Sequence, residues 1–201
     1  MYAGHLLSIR DQLVGYGAYH SHPVNIVIHR IFVPLIVWSF GVLFSQNLAP
    51  QLSYKFNGWL QFDANVFIVY AAGCLVYFYT MEPLAALLIT PQWVLIYLTG
   101  CAFSYRPHAM AIAAAVNIVS WIAQFIGHGE FEGRSPALVD NLVGALVLAP
   151  FFVHLENLFD LGYRKDLHKS VQAGVQEKRA EFAAKKARKA NGTSNGKSKD
   201  L

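Results

Sequence analysis

Residues 26–44, IVIHRIFVPLIVWSFGVLF, form an apolar run close to the roughly 20 residues a helix needs to cross the hydrocarbon core of a bilayer. Further apolar blocks follow from about Phe62 to Thr80, Leu84 to Phe103, Ala109 to Gly127 and Ala137 to Phe159, divided by short polar breaks. Backbone inside lipid has no water to bond, so each block is most economically a helix. The whole-chain balance agrees: 55% hydrophobic and 14% charged residues, with a mean hydropathy of +0.35, depart from soluble averages. The predicted fold class is all-α: a polytopic membrane bundle of about four to five spanning or re-entrant helices. An amphipathic helix precedes it, read from Leu6, Ile9, Leu13 and Tyr16 at three- and four-residue steps, and a basic tail follows.

Against this background His20, His29, His128, Glu132 and Glu156 stand out. Titratable groups are costly in lipid and persist where they face a buried site with a partner. For imidazoles with a carboxylate, the natural partner is a metal ion. His20 and His29 would point to opposite faces of one continuous helix, but Pro23 breaks the chain between them and lets the rings converge. Asn25, four residues before His29, is placed to hold that ring in one tautomer. His128 lies between Gly127 and Gly129, and Glu132 follows four residues later, as a second ligand or a base if the turn stays helical. Alternation of the crossings brings the start of the first segment and the end of the fourth to one membrane side, so the three histidines and Glu132 can share a site. Glu156 falls on the far side if the fifth segment crosses straight through. Five crossings put the site opposite the tail and four put it on the cytosolic face, which is the reading preferred here.

Blander roles compete. His154 reads as a packing residue, His22 as interfacial and His108 as a surface residue; the rival roles of Glu132 are a hydrogen-bond acceptor supporting the ligands or an ion pair with Arg134. Tyr70, Tyr77, Phe78, Tyr79, Trp93 and Tyr97 read as lipid-facing or interfacial aromatics, and Pro91 as a kink. Ala109 to Ala115 permit close helix packing. Cys74 and Cys101 lack metal-site spacing and read as buried free thiols.

The net charge of +4 belongs to the tail. Arg10, Arg30, Lys55, Arg106 and Arg134 are the cations before residue 164, and the remaining eleven of the sixteen Lys and Arg follow. Nucleic-acid binding is therefore a poor inference, and the positive-inside bias puts the tail in the cytosol. The expected division is a membrane-embedded catalytic domain at 1–162 and a basic tail at 163–201. The tail is helical along Leu167, Val171 and Val175, on a membrane face or in solvent, then compositionally disordered from Asn191.

Several runs together carry a family signature: Tyr19-His20 with Pro23, Asn25 and His29; Trp121 to His128; Phe131-Glu132-Gly133-Arg134; Pro136-Ala137-Leu138; Asp140-Asn141-Leu142; and Leu148-Ala149-Pro150. Over roughly residues 5–165 the chain resembles the family of the 2-hydroxy fatty acid dioxygenase that makes odd-chain fatty acids during phytosphingosine breakdown. The resemblance implies a multi-pass endoplasmic reticulum enzyme that uses ferrous iron and molecular oxygen to shorten long-chain 2-hydroxy fatty acids by one carbon. It maps the family's histidines onto His20, His29 and His128. The expected metal ligands are these three with Glu132, and the expected catalytic residues are Glu132, Asn25 and Arg134, the last neutralising the substrate carboxylate. A zinc-dependent membrane lipid amide hydrolase and a non-enzymatic scaffold or transporter are the rival readings. The residues alone leave iron and zinc open; the resemblance chooses iron.

Overall fold

Pro23 at the first helical position and His22 before it, whose Nδ1 accepts from the Val24 N–H at 3.3 Å, start α2 (Pro23–Leu43). The structure is a computed structural model that describes residues 8–133 and 144–196. Asn65 caps α3 (Val66–Met81), its side chain accepting from the Ile68 N–H at 3.1 Å. Pro83 opens α4 (Pro83–Ser104), which continues through Pro91 where the sequence predicts a kink. His108, in a left-handed conformation, precedes α5 (Ala109–Ile126), and a wide π-type turn follows at Gly127–Phe131. After a second such turn at Gly144–Leu148 comes α6 (Ala149–Asp160). Between α2 and α3 lies a short hairpin, β1 (Tyr54–Lys55) and β2 (Gln61–Phe62), pairing Tyr54 with Phe62 and Lys55 with Gln61. The second apolar segment thus begins at Val66, with Phe62 in the hairpin.

Three described helices are long and apolar enough to cross a membrane: α2, α4, and α5 with its following turn to Phe131. The chain is accordingly a helical, multi-pass membrane protein. Helix α3, apolar over 16 residues, spans only about 24 Å against a core of roughly 30 Å. α6 is shorter still, at 12 residues, so the described part of the fifth predicted segment is a short helix.

The core of residues 19–163, one of two compact units, is built on small-residue contacts and aromatics. A Cβ on Gly100 would meet the Gly41 backbone of α2 at 3.3 Å, so α2 and α4 approach closely. Ala109 and Ala113 of α5 bury against Val42, beside Trp38, Leu43 and Phe103. Phe78, Trp93 and Tyr97, expected to face lipid, are instead interior. Phe78 stacks on Phe151 at 4.5 Å between centroids, and the Tyr70 hydroxyl donates to the Leu146 carbonyl at 2.7 Å. The reason is packing: Phe78 lies against Trp93 and Phe151, and Tyr97 finds a partner for its hydroxyl in the Asp63 carbonyl, whereas Val69, Val76, Leu87, Leu95 and Ile118 lose nothing by facing acyl chains. Cys74 and Cys101 are buried free thiols, as the sequence suggests.

The second unit pairs α1 (Ile9–Gly17) with α7 (Lys165–Gly196). A Cβ on Gly17 would strike Val175 Cγ2, and one on Gly174 would strike Val14. The tail's apolar stripe thus packs against α1, with Val171 buried and Leu167 and Val175 half-buried, and α7 continues past Asn191.

Candidate metal centre

Three chain segments meet at the metal centre: the link before α2 supplies His20, the first turns of α2 supply His29, and the π-type turn after α5 supplies His128. All three rings are buried, at 7%, 4% and 2% exposure. Their centroids lie 4.3, 4.8 and 5.0 Å apart. One ring nitrogen from each falls within 4.8 Å of the others, the one such grouping of potential ligands among the described residues. The alternation argument from sequence therefore meets a geometric counterpart: α2 begins, and α5 ends, at the same end of the bundle.

The tautomer of His29 is set by its own helix. Its Nδ1–H donates to the Asn25 backbone carbonyl at 2.9 Å, so a neutral ring presents its Nε2 lone pair, which lies 3.0 Å from His20 Nε2. The sequence assigned this tether to Asn25, and the carbonyl supplies it; the Asn25 side chain has other work. Three buried imidazoles, each offering one ring nitrogen to a common point, could hold a divalent cation such as iron or zinc.

Glu132 is held near this centre by hydrogen bonds. Its Oε1 accepts from the Ser21 N–H at 2.6 Å, the His22 N–H at 2.7 Å and Asn25 Nδ2 at 3.2 Å, while Oε2 accepts from the Ser21 hydroxyl at 2.7 Å. Burial alone would raise its pKa, but these hydrogen bonds from His22, Ser21 and Asn25 hold the carboxyl below its ordinary range. The carboxylate ties the end of α5 to the segment that carries His20. The π-type turn explains why it diverges from His128: with bonds running from i to i+5, residues four apart no longer superpose.

Gly127 and Gly129, alike in sequence, differ in role. A Cβ on Gly127 would overlap Asn25 Oδ1 and press on Ile28, while one on Gly129 meets nothing. Gly127→Ala should push the Asn25 amide off Glu132 and cost about 1–3 kcal/mol of stability through overpacking. Gly129→Ala should be tolerated. Denaturation midpoints of the two purified variants check this, and equal midpoints would refute the packing argument.

Arg134, Asp140 and Asn141 lie outside the described residues. Glu156 is not part of the histidine grouping: it is half-buried close to Arg30, and its Oε2 has no partner among the described residues. Sequence reading passed over Arg30 and Gln124. Arg30, a charge inside an apolar run, pairs with Asp160 at 2.6 Å and lines a cavity of about 80 Å³ with Val37, Gln92, Trp93, His154 and Asn157. His154 belongs to that cavity wall. Gln124 is buried one turn before His128, its Nε2 without a partner among the described residues. Its signal in sequence was an amide at i−4 from a candidate ligand.

Residues 6–161 match the family described as 2-hydroxy-palmitic acid dioxygenase Mpo1-like. The chain belongs to that Mpo1-like family. It is 35% identical over 174 residues to the 2-hydroxy-palmitic acid dioxygenase MPO1 of Saccharomyces cerevisiae, covering 86% of this chain and 92% of that protein. No solved structure matches the chain. All three buried histidines fall within the Mpo1-like match, and the basic tail lies beyond it.

Proposed function

We propose that this Mpo1-like protein is an iron(II)-dependent dioxygenase of the endoplasmic reticulum membrane that converts long-chain 2-hydroxy fatty acids to fatty acids one carbon shorter. The observation that carries the reading is the buried grouping of His20, His29 and His128 in a chain whose relative is a 2-hydroxy-palmitic acid dioxygenase. Iron in place of zinc is supported by the dioxygenase relative, since a dioxygenase needs a redox-active centre.

In the proposed reaction the C1–C2 bond of the hydroxy acid breaks. C2 becomes the new carboxyl and C1 leaves as carbon dioxide, with one water formed. The substrate carbons lose four electrons and dioxygen gains four, so no further reductant is required. Ferrous iron, when bound, supplies the redox-active centre at which hydroxy acid and oxygen meet.

The chain's own residues supply position and exclusion. His20, His29 and His128 would hold the ion. The Asn25 carbonyl keeps His29 in the tautomer that leaves Nε2 available. Glu132 anchors the segment bearing His20 instead of serving as a ligand, because its oxygens are engaged by hydrogen bonds. Gln124, buried with its Nε2 unpartnered among the described residues, would donate to a bound carboxylate or hydroxyl, and the positive charge of Arg134 would balance the carboxylate. Water is excluded by the burial of all three rings. The substrate's acyl chain enters laterally from the bilayer, where the exterior of the spans is aliphatic. The basic tail lies in the cytosol.

Purified protein loaded with ferrous iron and given 2-hydroxy-palmitic acid and oxygen should release the acid one carbon shorter, with oxygen and substrate consumed in equal amounts. The zinc-loaded protein should be inactive. Turnover with zinc in the absence of oxygen would replace this reading with a hydrolase.

A further inference from the structure

The end of the bundle away from the histidines carries a feature that the dioxygenase reading does not use. Between α2 and α3 the chain is rich in exposed apolar and aromatic side chains: Leu48, Leu52, Tyr54, Phe56 and Trp59, the last 72% exposed, with Tyr105 of the α4–α5 link. Left in water, such a concentration is unfavourable and marks an interaction surface. We propose that the β1–β2 hairpin is a bilayer-interface anchor, its aromatic tip seated among lipid headgroups at the membrane face opposite the histidine centre.

Rigid support for the tip is the first argument. Asp63, fully buried at the base of the hairpin, accepts from Ser53 Oγ at 2.6 Å, Gln61 Nε2 at 3.1 Å and Asn47 Nδ2 at 3.2 Å. The Tyr97 hydroxyl of α4 donates to the Asp63 carbonyl. At the tip the Asn57 side chain accepts from the N–H groups of Trp59 and Leu60, at 2.7 and 2.9 Å. The exposed aromatics are thus held outward by a fixed scaffold.

Continuity with the spans is the second. α2 ends at Leu43, α4 ends at Ser104 and α5 begins at Ala109, so the hairpin emerges where the hydrocarbon-crossing segments stop. That depth is where Trp and Tyr rings, apolar in body and polar at the tip, are favoured. Charge is the third. Arg106 donates to the Gly58 carbonyl at 2.9 Å and lies 4.8 Å from the Trp59 ring centroid, with Lys55 exposed on β1. Two cations interleaved with aromatics complement phosphate headgroups. A bilayer supplies all three conditions at once.

The test uses the full chain in nanodiscs of phosphatidylcholine and phosphatidylserine. Gly58→Cys is suited to a nitroxide label because a side chain there meets nothing within 4 Å, and the two native cysteines are buried. The label should relax more through collisions with oxygen, which concentrates in lipid, than with a water-soluble nickel chelate. Dominance by nickel would place the tip in water, and shielding from both would indicate a protein partner or a second copy; either outcome overturns the proposal. Fluorescence of the unlabelled protein gives a second reading. Brominated lipids should quench the wild-type chain more than Trp59→Phe, and equal quenching would also count against it.

Discussion

His29→Ala and His128→Ala proteins, purified and dialysed against ferrous iron, are expected to lose metal and activity together. Losing an outer partner of a metal ligand typically costs about 10–100-fold in affinity or activity, and losing one of three nitrogen donors should cost more. The expectation follows from burial: His29 and His128 are 4% and 2% exposed, so no solvent ligand has an easy route to the vacated corner. Iron content by elemental analysis is the direct measure. Circular dichroism of the metal-free proteins separates this result from unfolding, because the helices are held by packing remote from the rings. Full iron occupancy in either variant, with the helical signal intact, would end the metal-centre reading.

Glu132→Ala should give a different pattern. The four hydrogen bonds that Glu132 accepts hold Ser21, His22 and Asn25, and through them the segment bearing His20. Removing them should weaken iron binding by about 10–100-fold yet leave the coordination sphere unchanged once iron is saturating. X-ray absorption would then report the same number of imidazole nitrogens as in wild type. Glu132→Gln should be milder, because the amide oxygen can keep the place of Oε1, accepting from both backbone N–H groups, while the amide nitrogen donates to the Ser21 hydroxyl. Loss of one oxygen ligand in the saturated Glu132→Ala spectrum would instead make Glu132 a ligand. Acid should mimic the substitution. The folded pKa of Glu132 lies below its ordinary value, so its contribution to stability is fully present above the unfolded carboxylate range. That contribution is lost as pH falls through the folded value.

Much of the histidine centre was legible from spacing. Pro23 between His20 and His29 announced a break, and alternation of apolar segments brought His128 to the same end. For Glu132 the spacing left ligand and hydrogen-bond acceptor both open, because a spacing of four implies alignment only in a regular α-helix, and the turn at Gly127–Phe131 is wider. Gln124 was missed because an amide in an apolar helix carries no charge to flag its cost. The aromatic residues misled for a related reason. Hydropathy treats Phe78 and Trp93 as it treats Leu87 and Leu95, and only packing against α6 distinguishes core from lipid face.

By itself, the sequence determined which segments can enter a bilayer, that the cations gather in the tail, and which family the chain resembles. These are local properties, summed along the chain. Only the tertiary structure decided which ring nitrogens face one another and which backbone groups the Glu132 carboxylate bonds. Side-chain direction turns by about 100° with each helical residue. Helix phase, fixed by packing contacts far apart in the chain, therefore governs whether titratable groups meet, and no local pattern encodes it.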